Sequence, residues 1–177
     1  VFSEPCTAIT PVMYTTPNLK LGQELAVLNV GTPTFMRAPG EAPGMFALES
    51  AMDELAWELG LDPVALRLQN ETQAHQRRKQ PFSTKNFADC LRTGAEQFGW
   101  SQRQMQPRSQ QRDNLLVGWG MAAATFPGYR GAAEAKVRLL PDETVHVLTS
   151  ANDMGTGAYT MIAITAAETL GLPVETI

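Results

Sequence analysis

The sequence contains few of the residues that form disulfide frameworks or metal sites. Its two cysteines, Cys6 and Cys90, and its two histidines, His75 and His146, are far apart along 177 residues. None of them lies at the short spacing that is typical of a metal-ligand set. Two distant cysteines predict ordinary thiols, and we expect no metal ion to be held directly by side chains.

An excess of basic residues and a long apolar run are also missing. The formal net charge is -4, whereas a general nucleic-acid-binding protein normally presents a basic face. No apolar run approaches the ~20 residues that a membrane-spanning helix requires. The 44% hydrophobic content is ordinary for a globular protein with a core. One basic run, His75-Gln76-Arg77-Arg78-Lys79, predicts either a solvated loop or a local contact with an anion.

The feature around which the chain is organised is an arginine in a turn rich in proline and glycine. Arg37 precedes Pro39-Gly40, and a second Pro-Gly pair follows at Pro43-Gly44. A guanidinium in such a turn is suited to binding a phosphate or a carboxylate in a bidentate manner. The alternative is a structural arginine that donates to the carbonyls of its own turn.

Amphipathic periodicity predicts a long helix that follows Pro43-Gly44 and ends at Gly60. Its core-facing residues are predicted to be Met45, Leu48, Met52, Leu55 and Leu59. The carboxylates on its other side are interpreted as a solvated face: Glu49, Asp53, Glu54 and Glu58. A second helix is predicted from Asp62, as N-cap, to about Asn70, and a third from Ser83, as N-cap, to Gly99.

Strand patterns and a last helix complete the predicted architecture. Strands are expected at residues 8–14, 24–30 and 115–125, and a hairpin is expected to join residues 133–140 to residues 144–149. A helix is expected over residues 158–170. The fold class is therefore α+β, with short strands and a hairpin packed with amphipathic helices. We expect a first part over residues 1–100 and a second part over residues 115–177, with residues 101–114 as a linker or long loop.

A glycine-rich turn, Asp153-Met154-Gly155-Thr156-Gly157, separates the hairpin from the last helix. The first amides of a helix have no internal partner and lie at the positive end of its dipole, so this turn is suited to an anion. The alternative is a plain helix entry in which Asp153 or Thr156 caps the helix. One Gly-x-Gly is a weak motif, because neither the lysine of a P-loop nor the third glycine of a dinucleotide fingerprint follows.

Both turns lie in longer segments that resemble a known family. The segments are Phe35-Met36-Arg37-Ala38-Pro39-Gly40-Glu41-Ala42-Pro43-Gly44 and Asp153-Met154-Gly155-Thr156-Gly157-Ala158-Tyr159-Thr160. They look like parts of the molybdenum-binding subunit of the xanthine dehydrogenase/aldehyde oxidase family, in its bacterial aldehyde-oxidising branch. Leu61-Asp62-Pro63 and Phe98-Gly99-Trp100 extend the resemblance over most of the chain.

The resemblance implies a fragment of the family's molybdopterin-binding domain. The cofactor-binding residues it implies are Phe35, Met36, Arg37 and Ala38 beside the molybdenum centre, and Asp153, Met154, Gly155, Thr156 and Gly157 against the pterin and its phosphates. The implied cofactor is molybdopterin cytosine dinucleotide, whose dithiolene sulfurs bind molybdenum in place of protein ligands. The implied activity is hydroxylation of aldehydes or N-heterocycles with oxygen from water. Electrons would pass to an iron–sulfur subunit with 2Fe-2S clusters and to an FAD subunit.

The resemblance also marks what this sequence does not contain. The family's catalytic glutamate stands in a Gly-x-Gly-Glu context, which does not occur here. We therefore assign no catalytic residue and expect an interior part of such a subunit that is inactive alone. Two alternatives stay open: a free-standing phosphate- or nucleotide-binding module, and a structural subunit piece without a redox role. The sequence identifies neither the substrate nor the compartment, which is cytoplasmic or periplasmic in this family.

Overall fold

The computed structural model describes residues 2–177. Contacts divide the chain into two units, one that ends at Phe126 and one that begins at Pro127; we call them the N-terminal unit and the C-terminal unit. The helices are α1 (Thr10–Met13), α2 (Glu41–Leu59), α3 (Pro63–Gln69), α4 (Phe87–Phe98) and α5 (Ala158–Leu170). The strands are β1 (Ala74–His75), β2 (Gln80–Pro81), β3 (Gln111–Arg112), β4 (Leu115–Leu116), β5 (Ala135–Leu139) and β6 (Val145–Thr149). This confirms the α+β class.

The end of α2 and the start of α3 are set by local interactions that the sequence predicts, whereas α2 begins at Glu41 and includes Pro43-Gly44, which were expected to precede it. Gly60 takes the left-handed conformation that ends α2, as expected of a glycine after the last helical residue. Asp62 caps α3, because its Oδ1 accepts the N–H of Val64 at 2.9 Å and that of Ala65 at 3.0 Å. The other oxygen of Asp62 accepts the indole N–H of Trp100 at 2.7 Å. One carboxylate therefore joins the start of α3 to Trp100, two residues after the end of α4.

The core of the N-terminal unit consists of two apolar clusters. The first has Ile9, Met13, Tyr14 and Met45 as its buried members. The second has Val64, Leu91 and Trp100. Phe87, the first residue of α4, packs against both clusters, so the start of this helix links the two parts of the core.

The buried face of α2 is rotated from the predicted one. Leu55 and Leu59, expected in the core, are 46% and 56% exposed. Glu49, expected in the solvated face, is 4% exposed, while Glu54 and Glu58 are exposed as predicted. The buried line contains Met45, Glu49 and Ala56 at helical spacing. The periodicity of apolar residues does not reveal this buried face, because the carboxylate of Glu49 is buried with a charged partner and is not exposed to water.

That partner is Arg67, whose side chain is fully buried. Its Nε donates to Glu49 Oε2 at 2.8 Å, and its NH1 lies 2.9 Å from Asp53 Oδ1. The hydroxyl of Tyr14 donates to Glu49 Oε1 at 2.6 Å, and the N–H of Ala123 donates to Oε2 at 2.7 Å. These contacts join α2 and α3 to Tyr14, which follows α1, and to Ala123 in the extended segment after β4.

The charges of this network are fixed by their surroundings. Burial opposes a charge on Arg67, but the hydrogen bond and the negative charge of Glu49 outweigh it and raise the pKa of the guanidinium. Burial and the Glu49 carboxylate raise the pKa of the Tyr14 hydroxyl far above its usual range. Tyr14 therefore remains a neutral donor, and Arg67 remains a cation.

Three predicted strands and one predicted cap are wrong. Residues 8–14 contain the helical turn α1, with Pro11 near its start, and only Tyr14 forms an isolated bridge, to Glu71. Residues 24–30 have no regular structure, and in residues 115–125 only Leu115–Leu116 is a strand. The third helix begins at Phe87 after Asn86 instead of at Ser83. A strand needs a pairing partner, and within residues 2–177 these segments find none over their predicted length.

The C-terminal unit confirms the predicted hairpin and helix. Strands β5 and β6 pair antiparallel, with Val137 opposite Val147 in the middle of the ladder. Helix α5 starts after Gly157 and ends at Gly171, which takes the left-handed conformation. The proposed division at residues 101–114 stays a prediction. Among residues 2–177, no helix combines the length and apolar character that crossing a membrane requires.

Loss of the buried Arg67 side chain is expected to destabilise the N-terminal unit. Arg67→Ala leaves the Glu49 carboxylate buried without its cation, which should lower the free energy of unfolding by about 3–5 kcal/mol. Urea unfolding followed by tryptophan fluorescence measures this, since Trp57, Trp100 and Trp119 all lie in the N-terminal unit. The matched control is Arg92→Ala, whose ion pair with Asp89 is exposed and should change stability by less than about 1 kcal/mol. Equal losses in the two variants would contradict a structural role for the buried pair.

A glycine in the first turn of α2 is required by a close approach of the chain. A Cβ added at Gly44 would lie 2.1 Å from the carbonyl oxygen of Cys6. Gly44→Ala is therefore expected to lower the free energy of unfolding by about 1–3 kcal/mol. Gly94→Ala, in α4, meets no atom within 4 Å and should raise it by roughly 0.5–1 kcal/mol. If both variants stabilised the protein in urea unfolding, the contact of Cys6 with α2 would be excluded.

Candidate functional site

The first candidate segment, residues 35–38, lies in the N-terminal unit directly before α2. Phe35, Met36 and Arg37 are exposed, and the segment has no regular secondary structure. Ala38 has a φ of 59°, which is uncommon outside glycine and turns the chain sharply. Within residues 2–177, Arg37 takes part in none of the ion pairs. Its guanidinium is therefore available to a ligand outside the chain.

Residues near the start of the chain hold this segment in place. The N–H of Gly40 donates to Glu4 Oε2 at 2.9 Å, and a Cβ at Gly40 would lie 2.7 Å from Pro5 Cδ. The rings of Phe2 and Phe35 lie 4.9 Å apart at their centroids. The turn that carries Arg37 is thus braced from one side by residues 2–5 and from the other by the first turn of α2.

A cavity of about 720 Å³ lies beside Ala38 and along α2. Its lining includes Met45, Glu49 and Asp53 from the helix and residues 121–126 from the extended segment opposite. This is the size of a small-molecule site. No Lys, Arg or His is among the residues that line it. An anion near this cavity would therefore depend on Arg37 and on backbone amides for its binding.

The second candidate segment, residues 153–157, lies in the C-terminal unit at the start of α5. Asp153 Oδ1 accepts the N–H groups of Gly155 at 2.7 Å, Thr156 at 3.0 Å and Gly157 at 3.3 Å. The N–H of Gly155, supported by those of Thr156 and Gly157, lowers the pKa of the Asp153 carboxyl. Asp153 thus stabilises the turn before α5, whereas the N-cap of the helix itself is Gly157, without a side-chain cap.

The outer surface of this turn remains open to a ligand. Met154 is 65% exposed, and a Cβ placed at Gly157 would meet no atom within 4 Å. A flat group can therefore approach the backbone closely. The N–H groups of Gly155, Thr156 and Gly157, however, already donate to the Asp153 carboxylate, so they are not free to bind a phosphate. The turn therefore presents an open glycine surface and the hydroxyl of Thr156 to a ligand, more than it presents positive charge.

Sequence reasoning missed the buried polar groups of the N-terminal unit. Glu49 is interpreted from its charge as a solvated residue, and no role is predicted for Arg67, although its place in the apolar run 64–68 indicates a buried position. Lys85 was also missed: its Nζ donates to the carbonyls of Val12, Met13 and Thr72, and burial lowers the pKa of its ammonium. Within residues 2–177, no group of three His, Cys, Asp or Glu residues could hold a metal ion.

Removal of the Asp153 carboxylate is expected to loosen the turn that precedes α5. In Asp153→Ala the amides of Gly155, Thr156 and Gly157 lose their acceptor, so their hydrogen exchange, followed by NMR, should become several-fold faster. Because its pKa is lowered on folding, Asp153 stabilises the protein at pH values above the ordinary Asp pKa of about 3.9, and this contribution is lost as the pH falls below it. Glu168→Ala, on the exposed surface of the same helix, is the control. Equal exchange in both variants would refute a role of the Asp153 carboxylate in holding this turn.

Comparison with known proteins relates both segments to one kind of domain. Two family models, each described as a molybdopterin cofactor-binding domain, match residues 1–71 and 93–177. The chain is 45% identical over 176 residues to the aldehyde oxidoreductase molybdenum-binding subunit of Escherichia coli O157:H7, which covers 97% of this chain and 24% of that protein. It is 33% identical over 155 residues to the putative xanthine dehydrogenase molybdenum-binding subunit of Escherichia coli K12, with 83% and 20% covered.

A third relative is the aldehyde oxidoreductase of Megalodesulfovibrio gigas, 31% identical over 163 residues, which covers 89% of this chain and 18% of the relative. The chain thus spans about a quarter or less of the length of these curated relatives. Residues 35–38 and 153–157 fall within the two matched ranges. The chain belongs to the xanthine dehydrogenase/aldehyde oxidase family, as part of its molybdopterin cofactor-binding region.

Proposed function

We propose that this chain is the molybdenum-cofactor-binding part of an oxidoreductase that hydroxylates aldehydes or N-heterocycles with water as the oxygen source. Relatives named as aldehyde oxidoreductase and xanthine dehydrogenase molybdenum-binding subunits match most of its length. The observation that carries the proposal is the state of Arg37. This exposed guanidinium has no ion pair within residues 2–177 and stands in a braced turn beside a cavity.

The first segment fits an anionic group rich in oxygen. Arg37 supplies a bidentate donor, and the positive φ of Ala38 turns the backbone so that a ligand can approach Phe35, Met36, Arg37 and Ala38 together. Because the neighbouring cavity contributes no cation, Arg37 is the charge that orients the group. When bound, the cofactor supplies the oxidising molybdenum centre, and the residues of this chain bind and orient it.

The second segment fits a neutral or donor-bearing face of the cofactor better than it fits a phosphate. The carboxylate of Asp153 accepts the N–H groups of Gly155, Thr156 and Gly157 and adds its own negative charge to the turn. We assign Asp153 to the shape of the turn, and Met154, Gly155, Thr156 and Gly157 to contact with the pterin. A pterin presents N–H donors and a flat ring, which suit a carboxylate and a glycine surface.

The dinucleotide form and the partners follow from the same proposal. We expect the cytosine dinucleotide of molybdopterin, with 2Fe-2S clusters and FAD on separate subunits. The names of the relatives support the existence of other subunits, since both Escherichia coli proteins are named as molybdenum-binding subunits. The substrate would approach the cofactor from a part of the enzyme to which this chain contributes no assigned catalytic residue.

Loss of Arg37 is expected to lower the cofactor content of the complete subunit. The variant Arg37→Ala is prepared in the full-length parent protein, co-expressed with its neighbouring subunits in a host that makes the cofactor. Molybdenum is measured by mass spectrometry and released CMP by chromatography. Because a charge-assisted hydrogen bond contributes about 1.5–3 kcal/mol, retained molybdenum and CMP should fall by about tenfold or more.

Arg92→Ala in the same parent is the matched control, because Arg92 is an exposed arginine of α4. It should keep wild-type cofactor content, and both variants should keep wild-type urea unfolding. Equal cofactor contents in the two variants would remove Arg37 from the site. A well-folded wild-type subunit without molybdenum or CMP would overturn the proposal and favour a phosphate-binding module or a structural piece.

A further inference from the structure

The basic run His75–Lys79 forms an exposed turn that is held by hydrogen bonds. Strands β1 and β2 pair with His75 opposite Gln80, and the N–H of Lys79 donates to the carbonyl of His75 at 2.8 Å. The N–H of Gln76 donates to the carbonyl of Pro11 at 2.8 Å, and the Gln76 side chain donates to the carbonyl of Thr16. The turn is therefore anchored on the segment that contains α1.

This turn forms one wall of a second cavity, of about 490 Å³. The opposite wall comes from the segment before and within α1, and the full lining is Pro5, Thr7, Ala8, Pro11, His75, Arg77 and Arg78. No carboxylate is among the lining residues. Within residues 2–177, Arg77 and Arg78 take part in none of the ion pairs. The positive charge of the cavity is therefore not neutralised by the chain.

The hydrogen-bonding state of His75 adds a donor to the same cavity. The backbone N–H of Arg78 donates to His75 Nδ1 at 3.3 Å, so Nδ1 is an acceptor. In the neutral imidazole the hydrogen must then lie on Nε2. The cavity thus combines two guanidinium groups, an imidazole N–H and the hydroxyl of Thr7, all of them able to donate to oxygen.

We propose that this cavity is a binding site for a phosphate group of a small ligand, separate from the turn that carries Arg37. Guanidinium groups match the oxygens of phosphate in a bidentate geometry, and the fixed turn reduces the entropy lost on binding. The site does not depend on the molybdenum hydroxylase assignment. Two sources share this chemistry: an inorganic phosphate or diphosphate, and the phosphate of a nucleotide.

Pro5 connects this cavity to the first candidate segment. It lines the cavity and also contacts Gly40 at the start of α2. A ligand in the cavity would therefore contact the residue that braces the Arg37 turn. We expect the amide resonance of Gly40 to respond when the phosphate site is filled.

The test is an NMR titration of the 177-residue chain at low ionic strength, with pyrophosphate in one arm and CMP in the other. Saturable shifts are expected at Thr7, His75, Arg77 and Arg78. In Arg77→Gln/Arg78→Gln the affinity should fall by about tenfold or more, since at least one charge-assisted hydrogen bond is lost. Arg77→Lys/Arg78→Lys keeps the charge but not the bidentate geometry and should bind with intermediate affinity.

The matched control is Arg92→Gln/Arg112→Gln, which removes the same charge from exposed positions of α4 and β3 and should bind within about twofold of wild type. Tighter binding of CMP than of pyrophosphate would assign the site to a nucleotide phosphate, and the reverse would assign it to the inorganic anion. Unsaturable shifts, equal losses in both glutamine variants, or tighter binding of an acidic peptide than of either probe would each overturn the proposal.

Discussion

The buried ion pair between Glu49 and Arg67 is the interaction on which the N-terminal unit depends. Both side chains are almost fully removed from water, and breaking such a pair leaves an uncompensated charge in a medium of low dielectric. The pair fixes α2 against α3, and Tyr14 and Ala123 bind the same carboxylate. The Arg37 turn directly precedes α2, the helix that this ion pair fixes against α3.

The two candidate cofactor segments differ in the charge that they present to a ligand. The guanidinium of Arg37 takes part in none of the ion pairs within residues 2–177, while the carboxylate of Asp153 accepts the N–H groups of the turn before α5. The first amides of a helix commonly bind an anion, and here a carboxylate of the chain already lies in the turn next to them. Under the proposed function, an oxygen-rich group of the cofactor binds near Arg37 and a flat, donor-bearing face binds near Gly157.

Many large apolar side chains are exposed in the described part of the chain. Val27 is 95% exposed, and Phe46, Leu139 and Tyr159 are each at least 60% exposed. Residues 24–30 are largely apolar but form no ladder within residues 2–177. The chain spans 24% of the length of the relative that it matches over 97% of its own residues. The basic cavity at His75 is different in kind, because polar donors line it.

The sequence by itself determined the features that depend on a few neighbouring residues. The ends of the helices at Gly60 and Gly171, the cap at Asp62 and the pairing of β5 with β6 all follow from local geometry. The family resemblance likewise rested on local motifs. Only the tertiary structure decided that Glu49 is buried, that residues 8–14 are not a strand, and that Arg37 has no partner within residues 2–177. Burial and strand pairing each require a second segment of the chain, which is distant in sequence in these cases. A local pattern describes only one of the two segments and so cannot predict the contact.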